Sequence, residues 1–281
     1  MKISIVTASY NYQNYIKETI QSVLDQTYSD WELIIVDDCS TDNSVNVIKS
    51  FNDERIKLII NEKNLGLKET LKRGIENTTG EWIAFLESDD ILKKDYLEKK
   101  YTIIKQNPNV AVIFNDVELF GDENRVKNVT PTIIETANLL KKKTYPCNIF
   151  NDIFIFNRLL TFSAVTVNRK KFLECNLNTP IDKLFDWWLF IHLSRKYDFY
   201  YIPEKLTKWR LHNNSYIYYK ERLFDYPVNI AALIDIILSE RNIKLFIPLV
   251  IACISTAKRF KARLFRAIKK ALGIPLREEK I

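Results

Sequence analysis

Residues Glu81–Leu92 read EWIAFLESDDIL. An apolar run, Trp82 to Leu86, breaks off into Glu87-Ser88-Asp89-Asp90. The run has the length and the aromatic and aliphatic content of a buried strand. Three carboxylates crowded at its carboxyl end repel one another unless a positive group sits among them. A divalent cation bound to phosphate oxygens is such a group, because hard cations take oxygen ligands. In open parallel α/β sheets, ligands bind outside the carboxyl ends of strands. The competing reading is an acidic turn capping the next helix, a task that suits Asp and Ser.

Working outward, Ile3–Ser9 reads as a first strand ending in the polar turn Ser9-Tyr10-Asn11-Tyr12. Ile16, Ile20, Val23 and Leu24 then fall at helical spacing. Trp31–Val36 is a second apolar strand, ending in the turn and cap cluster Asp37 to Ser44. Helix Val45–Phe51, strand Ile56–Ile60, a turn at Asn61–Gly66 and a helix over Leu67–Asn77 lead back to the Trp82 strand. This alternation predicts a doubly wound α/β fold with right-handed crossovers. Two strands, ending near Asp38 and near Asp89, would then deliver carboxylates to one edge.

Downstream, the pattern predicts a helix over Asp95–Gln106 and a strand over Val110–Phe114 that runs into Asn115-Asp116. From 118 to 160 only a helix over Ile133–Leu140 and an apolar stretch over Ile149–Phe156 stand out. A strand over Ser163–Val167 follows. Leu184–Ile191 is an aromatic, mostly buried helix holding one acid, Asp186, and Asp is rarely buried unpaired. Phe199–Pro203 is a short strand, followed by Lys208–Asn214. After Tyr226 the character turns helical, with apolar stretches at Val228–Leu238 and Leu245–Ala257.

The chain has 281 residues, 47% hydrophobic and 27% charged, which fits one large α/β domain with extras or two small ones. Met1-Lys2 leads directly into a strand, too short for a signal-peptide core, and no apolar run approaches the length of a membrane span. Cys39, Cys147, Cys175 and Cys253 are scattered, neither a zinc pattern nor a disulfide framework, and read as reduced thiols in cytoplasm. The net charge of +7 is uneven: residues 257–281 hold nine Lys/Arg and two Asp/Glu, leaving 33 of each sign before them. Within that tail, Phe260, Leu264, Ile268 and Leu272 repeat every four residues among basic side chains. Such a helix reads as lying on an anionic membrane surface; the alternative is a helix packed on the domain with a solvated basic face. No nucleic-acid motif accompanies it.

Five blocks in order resemble the family 2 glycosyltransferases: SIVTASYNYQNYIKETIQSVLDQTYSDWELIIVDDCSTDNS, NLGLKETLKRGI, GEWIAFLESDDIL, FDWWLFIHLS and WRLHNNS. The last two look most like the branch that contains bacterial rhamnosyltransferases and related cell-surface polysaccharide enzymes. The resemblance implies the GT-A fold, an α/β architecture with a Rossmann-like central mixed sheet flanked by helices, over residues 1–215. Residues 1–115 would form the nucleotide-sugar half and 116–215 the acceptor half, with 216–281 a helical C-terminal extension.

The resemblance also assigns roles. Thr7, Ala8 and Tyr10 would border the nucleotide base, Asp38 would accept a pyrimidine N–H, and Asn64 and Gly66 would lie beside base and diphosphate. Many relatives carry an Arg-Asn pair where this chain has Leu71 and Lys72. Glu87-Ser88-Asp89 stands at the Asp-x-Asp signature, with Glu replacing the first Asp and Ser88 on the nucleotide side. Asp89, Asp90, Glu87 and His212 would serve the metal, Mn²⁺ or Mg²⁺, with Glu87 reaching the ribose or a metal-bound water as its other option. Arg210 would face the diphosphate. Asp186 matches the catalytic base, and its neighbours Phe185, Trp187 and Trp188 would raise its pKa. Relatives often have Glu where Phe185 stands.

The implied activity is an inverting, metal-dependent transfer of a sugar from a UDP- or dTDP-linked donor. The acceptor would be a hydroxyl of a bacterial cell-surface glycan or lipid-linked precursor. The enzyme would sit in the cytoplasm, held peripherally on the inner face of the membrane by its basic tail. The alternatives are a non-catalytic nucleotide-sugar-binding or scaffolding member of the fold, and a nucleotidyltransferase that would not need Asp186.

Overall fold

The structure is a computed structural model that describes residues 1–154, 156–175, 185–212 and 234–236. From the amino end the chain lays down β1 (Ile3–Ser9), α1 (Ile16–Leu24), β2 (Trp31–Asp37), α2 (Ser44–Lys49), β3 (Ile56–Ile60), α3 (Leu67–Glu76) and β4 (Trp82–Phe85). There follow β5 (Ile91–Leu92), α4 (Tyr96–Gln106), β6 (Val112–Gly121), α5 (Glu123–Leu140) and α6 (Phe150–Ile153). A 3₁₀ turn at Phe162–Ala164 leads into β7 (Val165–Asn168), α7 (Arg169–Leu173), α8 (Phe185–Lys196) and β8 (Phe199–Leu211).

The strands form one mixed sheet in the order β3-β2-β1-β4-β7-β6-β8-β5. β3, β2, β1 and β4 are parallel, as the alternating pattern predicts for strands apolar on both faces. Helices cover both sides. α1 buries Ile16, Ile20 and Val23 on one face of the sheet. α3 lies against the other, where a Cβ on Gly74 would come within 2.6 Å of Val6 Cγ1, so only glycine allows that approach.

β7 then runs antiparallel to both β4 and β6. Two reversals restore the original direction, so β6 and its parallel neighbour β8 point the same way as β4. The carboxyl ends of β1, β2, β4 and β8 therefore emerge at one edge.

The segment 118–160 is more regular than its sequence suggests. β6 continues through residues 115 and 116 to Gly121, and α5 starts ten residues before Ile133. Asp122 caps α5 by accepting the Arg125 N–H. Pro131 sits inside that helix and removes one of its hydrogen bonds, which is why the periodicity read cleanly only beyond it. β8 is thirteen residues, not a short strand ending at Pro203. Its pairing with β6 slips between Asn115, Asp116 and Val117, and this bulge houses a proline that a regular ladder would exclude.

Among the described residues no helix is long and apolar enough to cross a membrane. Cys39, Cys147 and Cys175 are free thiols. The expected helical extension and its basic amphipathic helix lie outside the described residues, apart from the helical Ile234–Ile236. Ile236 is buried in the core that includes α8.

Candidate active site

The acidic turn after β4 is held from three directions. Leu86 N–H bonds Val6 O at 3.0 Å and extends the β1 pairing one residue past the strand. Thr19 of α1 donates its hydroxyl to Ser88 O and Asp90 O at 3.1 and 2.9 Å. The Glu87 N–H donates to Ser163 Oγ at 2.9 Å, which ties the turn to the 3₁₀ segment before β7.

Each carboxylate then has its own surroundings. Asp90 is fully buried and accepts the Arg210 N–H at 2.8 Å, with Thr161 Oγ1 3.3 Å away. Thr161 Oγ1 donates to Glu87 Oε2 at 2.5 Å. Asp89 faces the end of β8, where His212 Nε2 lies 2.7 Å from its Oδ2. The His212 ring rests on Tyr15, with centroids 4.8 Å apart, and meets Tyr12 edge-on at 6.0 Å.

Burial raises the Glu87 carboxyl above the usual carboxylate range, and the charges of Asp89 and Asp186 add to this. Burial likewise raises Asp90, with Asp89 and Glu87 adding to it. The Tyr12 hydroxyl is raised by burial and then by Asp89, Glu87 and Asp90. Negative charge is thus concentrated on a turn with little access to water.

Asp186 lies in the first turn of α8. Burial raises its pKa, while hydrogen bonds from the Trp187 N–H, its own N–H and the Asn157 side chain oppose the rise. It is close enough to Glu87 for their charges to interact, so the fold brings together two acids 99 residues apart in sequence.

Arg210 is at the rim but engaged. Its Nε donates to Asp89 O at 2.8 Å and its Nη2 to Glu18 Oε2 at 2.5 Å, and its guanidinium lies 4.3 Å from the Phe120 ring centre. It braces the acidic turn. Arg73 is held by Asn61 Oδ1 and Ile60 O.

On the nucleotide side, Asp38 is buried at the end of β2 and organises the next loop. Its Oδ1 accepts from Asn61 Nδ2 and the Leu65 N–H at 2.8 Å each, and its Oδ2 accepts the Gly66 N–H at 2.9 Å. Gly66 has φ +83°, the left-handed region that favours glycine. Asn64 Oδ1 accepts the same Gly66 N–H at 3.2 Å. Thr7 and Ser88 are enclosed, Ala8 is half-buried and Tyr10 is 43% exposed. The loops after β1 and β2 interlock: Asn11 N–H donates to Ser40 Oγ, and Asn11 Oδ1 accepts the Thr41 N–H.

Sequence reading passed over Thr19, Asn157, Thr161 and Ser163. Their only signal was hydroxyls and an amide beside apolar residues. Their place becomes visible once β7 is paired antiparallel with β4, which sets residues 161–163 against Glu87.

The profile described as Glycosyl transferase family 2 matches residues 4–165. TuaG of Bacillus subtilis, a glycosyltransferase assigned to teichuronic acid biosynthesis, is 33% identical over 76% of this chain and 80% of its own length. WfgD of Escherichia coli, a UDP-Glc:α-D-GlcNAc-diphosphoundecaprenol β-1,3-glucosyltransferase, is 36% identical over 52% of this chain and 57% of its own. Among solved structures, S. aureus TarS in complex with UDP-GlcNAc superposes with TM-score 0.61 at 17% identity, covering 84% of this chain and 67% of that one. A mannosyltransferase from Pyrobaculum calidifontis in complex with GDP-Man and Mn²⁺ gives TM-score 0.60 at 15% identity over 89% of this chain and 68% of that one. With the GT-A sheet and the acidic turn at its edge already in view, the chain belongs to glycosyl transferase family 2.

Proposed function

We propose that this glycosyltransferase moves one sugar, with inversion, from a UDP- or dTDP-sugar to a hydroxyl of a bacterial cell-surface glycan or lipid-linked precursor. The observation that carries this reading is the Asp89–His212 pair at the acidic turn after β4, at the sheet edge where β1, β2 and β8 also end. Asp186, in the first turn of α8, would supply the base to that turn. Asp186 takes the proton of the acceptor hydroxyl as its oxygen bonds the anomeric carbon, and the bond to the diphosphate oxygen breaks. A positioned base of this kind contributes about 10²- to 10⁴-fold.

Asp89 and His212 would hold a divalent cation. Among the described residues no group of three or more His, Cys, Asp or Glu side chains is arranged as a cage. Two protein donors fit Mg²⁺ or Mn²⁺, which typically take one or two protein ligands together with substrate phosphates and water. Such a cation, when bound, neutralises the diphosphate leaving group. Thr7, Ala8, Tyr10, Asp38, Asn64, Gly66 and Ser88 would form the nucleotide side. The named donors of the two solved neighbours and of WfgD, all nucleoside diphosphate sugars, support this reading. The basic segment 257–281 would seat the enzyme on the inner face of the membrane, where lipid-linked acceptors lie.

The test is a panel of UDP-, dTDP- and GDP-sugars with Mn²⁺ or Mg²⁺, following release of nucleoside diphosphate with and without chelator. The expected result is metal-dependent release from one donor, lost in Asp89→Ala. Silence across the panel, with no donor-induced thermal stabilisation, would favour a non-catalytic role. The membrane arm uses phosphatidylglycerol vesicles: the full chain should co-sediment in a salt-sensitive way, and a chain ended after Thr256 should not.

A further inference from the structure

We propose that Arg73 is a positioning residue for Asp38: through the Asn61 amide it decides which carboxylate oxygen is left to meet the nucleotide base. The inference rests on the reading of Asp38 as the acceptor of a pyrimidine N–H.

Arg73 belongs to α3, where Leu71 turns into the core and Gly74 lets the helix lie close on β1. From there its Nη1 donates to Asn61 Oδ1 and, at 3.4 Å, to Ile60 O at the end of β3. A guanidinium has donors and no acceptor, so it admits one orientation of the Asn61 amide, oxygen toward Arg73 and nitrogen away. That nitrogen places its two N–H groups on Asp38 Oδ1 at 2.8 Å and on Thr70 Oγ1 at 3.2 Å. Asn61 and Thr70 are both enclosed, and the Asn61 N–H bonds Asp37 O at 2.8 Å, one residue before Asp38. Turning the amide over would set N–H against guanidinium and oxygen against carboxylate, two repulsive contacts where water cannot relieve them.

The consequence falls on Asp38. Its Oδ1 accepts from Asn61 and from the Leu65 N–H, while its Oδ2 accepts the Gly66 N–H alone. A carboxylate oxygen accepts about two hydrogen bonds, so among the described residues Oδ2 is the oxygen with capacity for one more. Uracil and thymine each present a single ring N–H between two carbonyls, which one aimed oxygen can meet. Without Arg73 the Asn61 amide is free to turn, the Asp38 carboxylate loses the bond that fixes its plane, and the aim of Oδ2 goes with it.

The test is calorimetric binding of UDP and dTDP to the full chain with Mn²⁺, each against its N3-methyl analogue, which lacks the ring N–H. Wild type is expected to bind the better nucleotide about tenfold or more tightly than its analogue, the effect of one hydrogen bond to a charged group. Arg73→Met keeps the apolar stem and removes the donors; the ratio is expected to shrink about threefold or more, with affinity for the analogue nearly unchanged. Arg73→Lys still offers N–H donors and should restore most of the ratio. Asn61→Asp is isosteric, keeps an acceptor for Arg73 and deletes the donor to Asp38, so the ratio should shrink there too, which decides the matter if Arg73→Met does not fold. A ratio left unchanged in the folded variants, including one where nucleotide and analogue weaken equally, overturns the proposal and leaves Arg73 a merely structural residue. Wild type that binds nucleotide and analogue alike, or neither, would instead remove the reading of Asp38 beneath it.

Discussion

Lys100 is fully enclosed and donates its Nζ to two backbone carbonyls, Ile113 O and Ala164 O, each at 3.0 Å. Burial holds its pKa well below the ordinary lysine range. A neutral amine has two N–H groups and here meets two acceptors. Between the depressed folded pKa and the unfolded value near 10.4, the unfolded chain binds the extra proton, so this site adds stability as pH rises. Denaturant unfolding at about pH 7 and about pH 10 should show wild type gaining on Lys100→Met; a constant gap would mean that the amine is charged throughout. Asp186 is the second residue whose behaviour is fixed by its surroundings. Asp186→Asn keeps the shape of the side chain and removes the proton acceptor. Turnover is expected to fall about 10²- to 10⁴-fold while calorimetry finds nucleotide binding unchanged. Loss of binding along with turnover would place Asp186 on the donor rather than at the acceptor hydroxyl.

At the scale of elements, β8 decides whether His212 reaches Asp89. Gly121 ends β6 at φ +107°, and a Cβ there would collide with the Leu211 carbonyl, one residue before His212. The Asp122 N–H bonds that same carbonyl at 2.8 Å. Gly121→Ala is therefore expected to destabilise the protein by about 1–3 kcal/mol. It should also weaken metal-dependent activity more than nucleotide binding, measured by denaturation and by the Mn²⁺ dependence of turnover. A variant that loses stability but keeps its Mn²⁺ response would show that β8 tolerates the shift. The same region marks where sequence reading stopped. Parallel strands β1, β2 and β4 were legible because strands buried on both faces are unbroken apolar runs ending in polar turns. β8 was cut at Pro203 because a bulge is a property of two paired strands, invisible in either alone. α5 was halved at Pro131 for the converse reason: the local break signal was real, and packing against β6 and β8 overrides it.

At the scale of the molecule, the site exists because two antiparallel steps through β7 return β6 and β8 to the direction of β4. Asp89 stands out in its own turn, whereas His212 is singled out only by family resemblance. Their 2.7 Å contact depends on a sheet order that no local pattern encodes. The surroundings of each acid were equally hidden, since Asp90 reads like Asp89 until the Arg210 N–H and the Thr161 hydroxyl are seen around it. This assembly predicts linked binding. If the excess charge of the turn is completed by a cation that the nucleotide diphosphate also contacts, UDP and Mn²⁺ should each bind better in the presence of the other. Ligand at about 100 times its Kd adds about 2.7 kcal/mol to unfolding. UDP with Mn²⁺ should therefore raise Tm well beyond the sum of the separate shifts. Asp89→Ala and His212→Ala should bring the combined shift back to that sum, whereas Asp90→Asn should lower the baseline Tm and leave the coupling in place. Strict additivity in the wild type would mean that the nucleotide and the acidic turn do not share an ion.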